Sequence, residues 1–221
     1  FKGIDMNKLS ETERQAGVQL LSQLKMFNEA VVYFDQHIEP AFWKSFDKCI
    51  DRFIKNNNWA GDADYENKGY CWLAPKNWLI EDDNCKYYFA TSTTVDEELD
   101  YTLAVLTGQG IEQGNFGFEF QLNAAHFGGA RKLASYNNSM SEKHKEDKEK
   151  LIKIGLKDQV KGNYFIPIII DSKLLADCWA LNGEFPVEHE IFSPLRNALE
   201  ILFESTNTLD NMFRDAIEVS E

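Results

Sequence analysis

Phe116-Gly117-Phe118-Glu119-Phe120-Gln121-Leu122 decides the fold, because a large apolar side chain at every second position alternates strictly with Gly117, Glu119 and Gln121. A period of two is that of a β-strand with one buried and one wet face. Such a strand belongs to an antiparallel sheet, since strands buried on both faces read as unbroken apolar runs. Its apolar face needs a cover, and both ends of the chain supply one. Leu20, Leu24, Phe27, Val31, Phe34 and Ile38 are spaced alternately four and three apart, the rhythm of a helical packing stripe. Leu195, Leu199, Leu202, Leu209 and Phe213 repeat it near the other end, broken at Thr206. The expected fold is therefore α+β, an antiparallel β-meander braced by long N- and C-terminal amphipathic helices.

Near the start of the chain, Ser10 with Glu13 forms a capping-box signature for a first helix that runs to about His37. Pro40 suits the opening turn of a second helix, which presents Phe42, Phe46, Cys49 and Phe53 on one face and ends at Asn56-Asn57-Asn58. A short corner is expected between the two. The first stripe is flanked by Leu21, Val32 and Tyr33, so it is wide enough either to be sandwiched within the domain or to pack on a second copy as a homodimer. Further strands are expected at Tyr70 to Leu73, Lys86 to Thr93, Tyr101 to Leu106 and Tyr164 to Ile170, with a charged helix from Ser141 to Ile154 that stops at Gly155. Ser193-Pro194 opens the terminal helix. Phe1-Lys2-Gly3-Ile4-Asp5 resembles the remnant of a cleavable tag and is set aside, leaving one expected α+β domain over 6–221.

The formal net charge of -13 is uneven. Arg131 to Lys161 carries nine Lys/Arg against five Asp/Glu, whereas Asp62 to Asp100 carries ten acids against three bases. An acidic body of this kind disfavours nucleic acid and favours a basic protein partner, and the basic segment reads as a helix face laced with spaced ion pairs. No apolar run approaches the roughly 20 residues that span a bilayer, so no membrane partner is expected. Cys49, Cys71, Cys85 and Cys178 fit neither a zinc spacing nor a dense disulfide scaffold, which points to buried free thiols and a cytoplasmic protein.

Several stretches invite chemical readings. Thr107-Gly108-Gln109-Gly110-Ile111-Glu112-Gln113-Gly114 lacks the Lys-Ser/Thr pair and the following helix of a phosphate loop, and it precedes a strand, so a turn between strands is expected. Asp62-Ala63-Asp64-Tyr65-Glu66 opens like a calcium loop, but Asn67 and Leu73 stand where Gly and Glu are needed. His37, His126, His144 and His189 fall at no metal-ligand spacing. No metal or other cofactor is expected.

Asp100, Glu119, Gln121 and Lys132 form the one constellation with a catalytic reading. It resembles the PD-(D/E)xK nuclease core, in which an Asp and an acid-x-Lys strand hold a magnesium ion. Here Glu119-Phe120-Gln121 replaces acid-x-Lys, and Leu99 stands where a Pro precedes the Asp. That resemblance implies a metal-dependent phosphodiesterase as the alternative function. The preferred reading is a non-catalytic macromolecule-binding protein of inhibitor, immunity or regulatory type. Its expected binding residues are Asp62, Asp64, Tyr65, Trp72 and Trp78, where carboxylates that steer an encounter lie beside aromatic rings that anchor it.

Overall fold

The computed structural model describes residues 9–82, 84–94, 100–111, 113–159 and 162–218, with the backbone alone for 139–143 and 215–218. The chain is α+β, with long helices at both ends and a six-stranded antiparallel sheet between them. The chain divides into two compact units, 1–41 and 42–221. The first five residues, assigned above to a tag, lie outside the described residues.

The N-terminal unit contains α1 (Glu11–Ser22), α2 (Leu24–Tyr33) and a π-turn, Phe34–Ile38. The expected capping box is present: Glu13 N donates to Ser10 Oγ at 3.2 Å and Ser10 N donates to Glu13 Oε2 at 2.7 Å. Gln23, at φ -120 and ψ 25, divides what was read as one helix. In place of a corner before Pro40 there is the π-turn, followed directly by α3 (Glu39–Asn56). Pro40 has no N–H for the carbonyl four residues back and its ring crowds that carbonyl; the wider π-turn relieves both effects without ending the helix. None of these N-terminal elements before α3 has a buried residue.

In the larger unit the strands are β1 (Trp59–Ala63), β2 (Cys71–Pro75), β3 (Leu79–Glu81), β4 (Asn84–Cys85), β5 (Tyr87–Thr93), β6 (Phe116–Leu122), β7 (Lys157–Asp158) and β8 (Tyr164–Ile168). The main sheet runs in the order β1-β2-β5-β6-β8-β7, every pair antiparallel, and β3 pairs with β4 apart from it. The register fixes the two faces. Phe89 lies opposite Phe120, and Phe116, Phe118 and Phe120 lie opposite Ile168, Ile166 and Tyr164, so one face is a continuous apolar layer.

Two helices cover that layer. From α3, Phe46 meets Phe116 at 5.9 Å and Phe53 meets Trp59 at 5.1 Å; from α9 (Ser193–Glu218), Phe213 meets Phe120 at 5.4 Å. Phe42, Phe46, Phe118, Phe120, Leu202 and Phe213 are fully buried, each contributing roughly 1.5–3 kcal/mol of transfer free energy on burial. Gly117, on the opposite face of β6, allows the close pairing of β6 with β8: a Cβ there would stand 2.0 Å from the Ile166 carbonyl oxygen.

The remaining helices are α4 (Tyr65–Lys68), α5 (Thr102–Leu106), α6 (Ala130–Lys143), α7 (Lys145–Ile154) and α8 (Ser172–Asn182). Here α5 replaces the strand expected at Tyr101 to Leu106. The reason lies at its C-terminal end: Gly108 at φ 66, with Gln109 N donating to Ala104 O and Gly108 N to Val105 O, closes a left-handed helix C-terminus. The glycine stretch thus ends a helix rather than linking two strands. Likewise the charged helix begins eleven residues earlier than expected and breaks at His144 into α6 and α7. Among the described residues no helix is long and apolar enough to cross a membrane.

Candidate binding surface

The face of the sheet away from α3 and α9 gathers several of the sequence candidates. Asp62 pairs with Trp72, Trp72 with Ala90, Ala90 with Glu119 and Glu119 with Phe165, so these five form one row across five strands. The neighbouring row places Tyr88 opposite Gln121. Side chains two apart on a strand share a face, so Trp72, Tyr88, Ala90, Glu119 and Gln121 converge although they are up to 49 positions apart in sequence.

Between these rows lies a groove of about 480 Å³ lined by Tyr70, Trp72, Tyr88, Ala90, Gln121 and Asn123, among others. The Trp72 and Tyr88 rings stand at 81° to one another with centroids 6.5 Å apart. A relay fixes the polar side: the Tyr88 hydroxyl donates to Gln121 Oε1 at 2.8 Å, and Gln121 Nε2 donates to Glu119 Oε2 at 3.4 Å. At one end Asn123 Nδ2 donates to Cys85 O at 3.2 Å and reaches Asn84 Oδ1 at 3.3 Å. Burial raises the Tyr88 pKa, and the nearby Cys85 and Glu119 add to the rise, so the phenol stays neutral.

The candidate binding residues divide. Trp72 is half-buried and lines the groove. Asp62 sits on the same row, held by Lys68, whose ammonium also lies 3.6 Å from Asp64. Asp64 further accepts from Asn67 Nδ2 at 2.6 Å. Tyr65 and Trp78 are core residues. Tyr65 is 8% exposed and stacks 4.2 Å from Trp43, while Trp78 is fully buried against Tyr87, Phe89 and Phe120. Neither ring can make the first contact with a partner. Tyr70 and Tyr88, which sequence reasoning did not select as site residues, occupy the accessible aromatic positions instead.

The catalytic constellation is brought together only in part. Glu119 and Gln121 are adjacent, but the Asp100 carboxylate accepts from Ile111 N at 2.8 Å and ties down the loop after α5. The Lys132 side chain lies over Gly128, at the start of α6 beyond the far end of β6. Among the described residues no group of three or more His, Cys, Asp and Glu is placed to hold a metal ion.

Elsewhere several polar groups hold backbone segments together. Asp47 on α3 accepts from the backbone N–H groups of Tyr65 and Glu66 at 2.9 and 3.0 Å, capping α4 from outside its own segment. His189 accepts from Ile191 N through Nδ1 at 3.2 Å. All four cysteines are buried and unbridged, and burial pushes the Cys49 thiol up to about 11, away from the thiolate a nucleophile needs. Comparison of the chain with known protein families, with curated proteins and with solved structures finds no match in any of the three.

Proposed function

We propose that this chain is a non-catalytic macromolecule-binding protein of inhibitor, immunity or regulatory type, docking a basic protein partner on the part of its sheet that carries Asp62, Trp72 and Glu119. The observation that carries the reading is the cross-strand row Asp62-Trp72-Ala90-Glu119, which puts carboxylates and an accessible indole on one surface. Carboxylates accelerate the encounter with a basic partner, and a half-buried aromatic residue anchors the complex once formed. A net charge of -13 repels nucleic acid over most of the surface and attracts basic proteins. Four buried thiols suit a reducing compartment, and we take the protein to be cytoplasmic.

We further propose that the first two helices join a second copy. Leu20, Leu24 and Phe27 are each about half exposed along one stripe, and none of the residues of α1 or α2 is buried.

The test is affinity purification from the source cells with three baits: the parent, Trp72→Ala combined with Asp62→Lys, and a control changed on α8 at Lys173→Ala. A protein retained by the parent and the control but lost from the double variant supports the reading. Equal retention by all three baits removes the outer face as the interface. Cleavage of DNA or RNA with magnesium or manganese, abolished by Glu119→Ala in a folded protein, would instead establish the phosphodiesterase alternative.

A further inference from the structure

We infer that the cavity between the C-terminal half of α3 and the first turns of α9 is a binding site for a free apolar amino acid, whose carboxylate meets Arg196, whose ammonium meets Glu200 and whose side chain lies against Phe53 and Leu199. This site shares no lining residue with the groove beside Trp72 and goes beyond the docking role proposed above. The cavity measures about 290 Å³, near the lower end of the range of small-molecule pockets, and is walled by α3, by the loop at Val187 and Glu188, and by α9. Its apolar lining includes Cys49, 7% exposed, whose thiol burial keeps neutral, so that part of the wall carries no charge of its own.

The four charged groups around the cavity do not all satisfy one another. Arg52 pairs with Glu188, which joins α3 to the loop. Arg196 instead donates from Nη1 to Val187 O at 3.1 Å and from Nη2 to His189 O at 3.1 Å and Ser193 Oγ at 3.0 Å, so among the described residues this partly buried guanidinium meets only uncharged oxygens. Three of its five N–H groups are thereby used and the plane of the fork is fixed before any ligand arrives, which lowers the ordering cost of binding. Glu200 stands one turn further along α9, exposed, and makes no ion pair among the described residues. An arginine four residues before a glutamate is the less favourable order for a helical ion pair, and the loop carbonyls hold the Arg196 guanidinium elsewhere.

A cation and an anion left unmatched on one wall of a partly apolar cavity complement a zwitterion. A simple anion drawn to Arg196 would be opposed by Glu200, and a simple cation drawn to Glu200 would be opposed by Arg196. An α-amino acid carries both charges on one carbon and satisfies both residues at once. Side chains four apart on a helix stand about 5–6 Å apart at Cβ, a gap that the two charged groups of an amino acid bridge with one hydrogen bond at each end. The third substituent of that carbon then faces away from the charges, where Phe53 and Leu199 offer apolar surface. A polar side chain there would lose its water without a partner, so the site favours an apolar one.

The experiment titrates the folded chain with L-leucine and with two analogues that each lack one charge, L-leucinamide and 4-methylpentanoate, and follows the methyl resonances of Val187 and Leu199 and the Arg196 Nε–H by NMR. The expected result is saturable shifts at these residues with millimolar or tighter affinity for leucine, and at least about tenfold weaker binding of either analogue. Glu200→Gln, at an exposed position, should weaken leucine binding by about fivefold or more and leave 4-methylpentanoate binding no weaker than in the parent. Leucinamide carries the Arg196 half of the test, because replacing Arg196 would also untie the loop that it holds. No saturable shift with leucine, or equal affinity for leucine and either analogue, overturns the inference. Unchanged leucine binding in Glu200→Gln overturns it as well. So does an equal loss of leucine and 4-methylpentanoate binding in that variant, which would mean that Glu200 shapes the cavity rather than meets the ammonium.

Discussion

Trp72 and Trp78 lie six residues apart and on opposite sides of the sheet, and the contrast between them turns composition into consequence. Trp78 is enclosed by Tyr87, Phe89 and Phe120 at 4.6–5.9 Å, so Trp78→Ala should destabilise the fold by about 3–5 kcal/mol, read as a lower urea midpoint. Trp72 is half-buried over the groove, and Trp72→Ala should cost no more than about 1 kcal/mol while removing the binding role proposed for it. A large loss of stability from Trp72→Ala would show that the ring is core. A second residue-scale contact is pH-dependent. The Tyr87 hydroxyl donates to Asp210 Oδ1 at 2.5 Å, and Arg214 holds the other oxygen. Burial disfavours the Asp210 carboxylate, but the hydrogen bonds from Tyr87 and Arg214 outweigh it and hold its pKa below the usual 3.8. Burial and the Asp210 charge together push Tyr87 above the usual 10. The stability contributed by Asp210 is therefore complete above about pH 4 and fades as pH falls through its lowered pKa. That contributed by neutral Tyr87 is complete below about pH 10 and fades above it. Tyr87→Phe should accordingly lower the melting temperature most between those limits, and the gap from the parent should narrow below pH 3. A gap of constant size from pH 2 to pH 8 would mean that the lost hydrogen bond does not depend on the carboxylate charge.

Among the elements, Gly117 separates what strand pairing requires from what helix propensity prefers. A Cβ at Gly117 would lie 2.0 Å from the Ile166 carbonyl oxygen and 2.9 Å from Phe165 Cζ, so Gly117→Val should part β6 from β8 and speed amide exchange along both strands. Gly17, inside α1, has nothing within 4 Å of its added Cβ, and Gly17→Ala should stabilise that helix by up to about 1 kcal/mol, seen as added helical ellipticity. If Gly117→Val left exchange in β8 unchanged, the β6–β8 register would be other than the one described. The strand Phe116 to Leu122 was legible because its period is local and unambiguous. Tyr101 to Leu106 was not: six apolar-rich residues fit a strand or a short buried helix equally, and the deciding signal was Gly108 as a helix terminator rather than a hairpin residue. Within the candidate site, Asp62 and Trp72 were readable as a carboxylate and a ring close in sequence. Their alignment with Ala90 and Glu119 depends on register between strands far apart in the chain, which local pattern does not contain. The burial of Trp78 depends on the turn Lys76–Trp78 after β2, which sets its ring against Tyr87, Phe89 and Phe120 from distant strands.

At the scale of the whole molecule, the distribution of charge determines where one copy can approach another. Two bodies each carrying -13 repel over most orientations, and a contact between them is favoured where apolar surface coincides with little charge. The stretch from Gln15 to Ile38 meets both conditions: Lys25, Glu29 and Asp35 are its charged residues, while Leu20, Leu24 and Phe27 stand about half exposed. Its stripe from Leu20 to Ile38 spans about 27 Å at 1.5 Å per residue, crossing the break at Gln23 and the π-turn, and the residues flanking it, among them Leu21, Gln23, Asn28 and Ala30, neither repel a second copy nor select a charged stranger. Roughly three heptads give a modest interface, so a dimer of micromolar affinity is expected, one that falls to single chains on dilution. Light scattering across a concentration series should show twice the chain mass at the high end and the chain mass at the low end. Phe27→Asp should give the single-chain mass throughout with an unchanged melting transition, because Phe27 is 49% exposed and α2 contributes no buried residue. A single-chain mass for the parent at every concentration would end the dimer. Loss of folding in Phe27→Asp would instead place the stripe in the core.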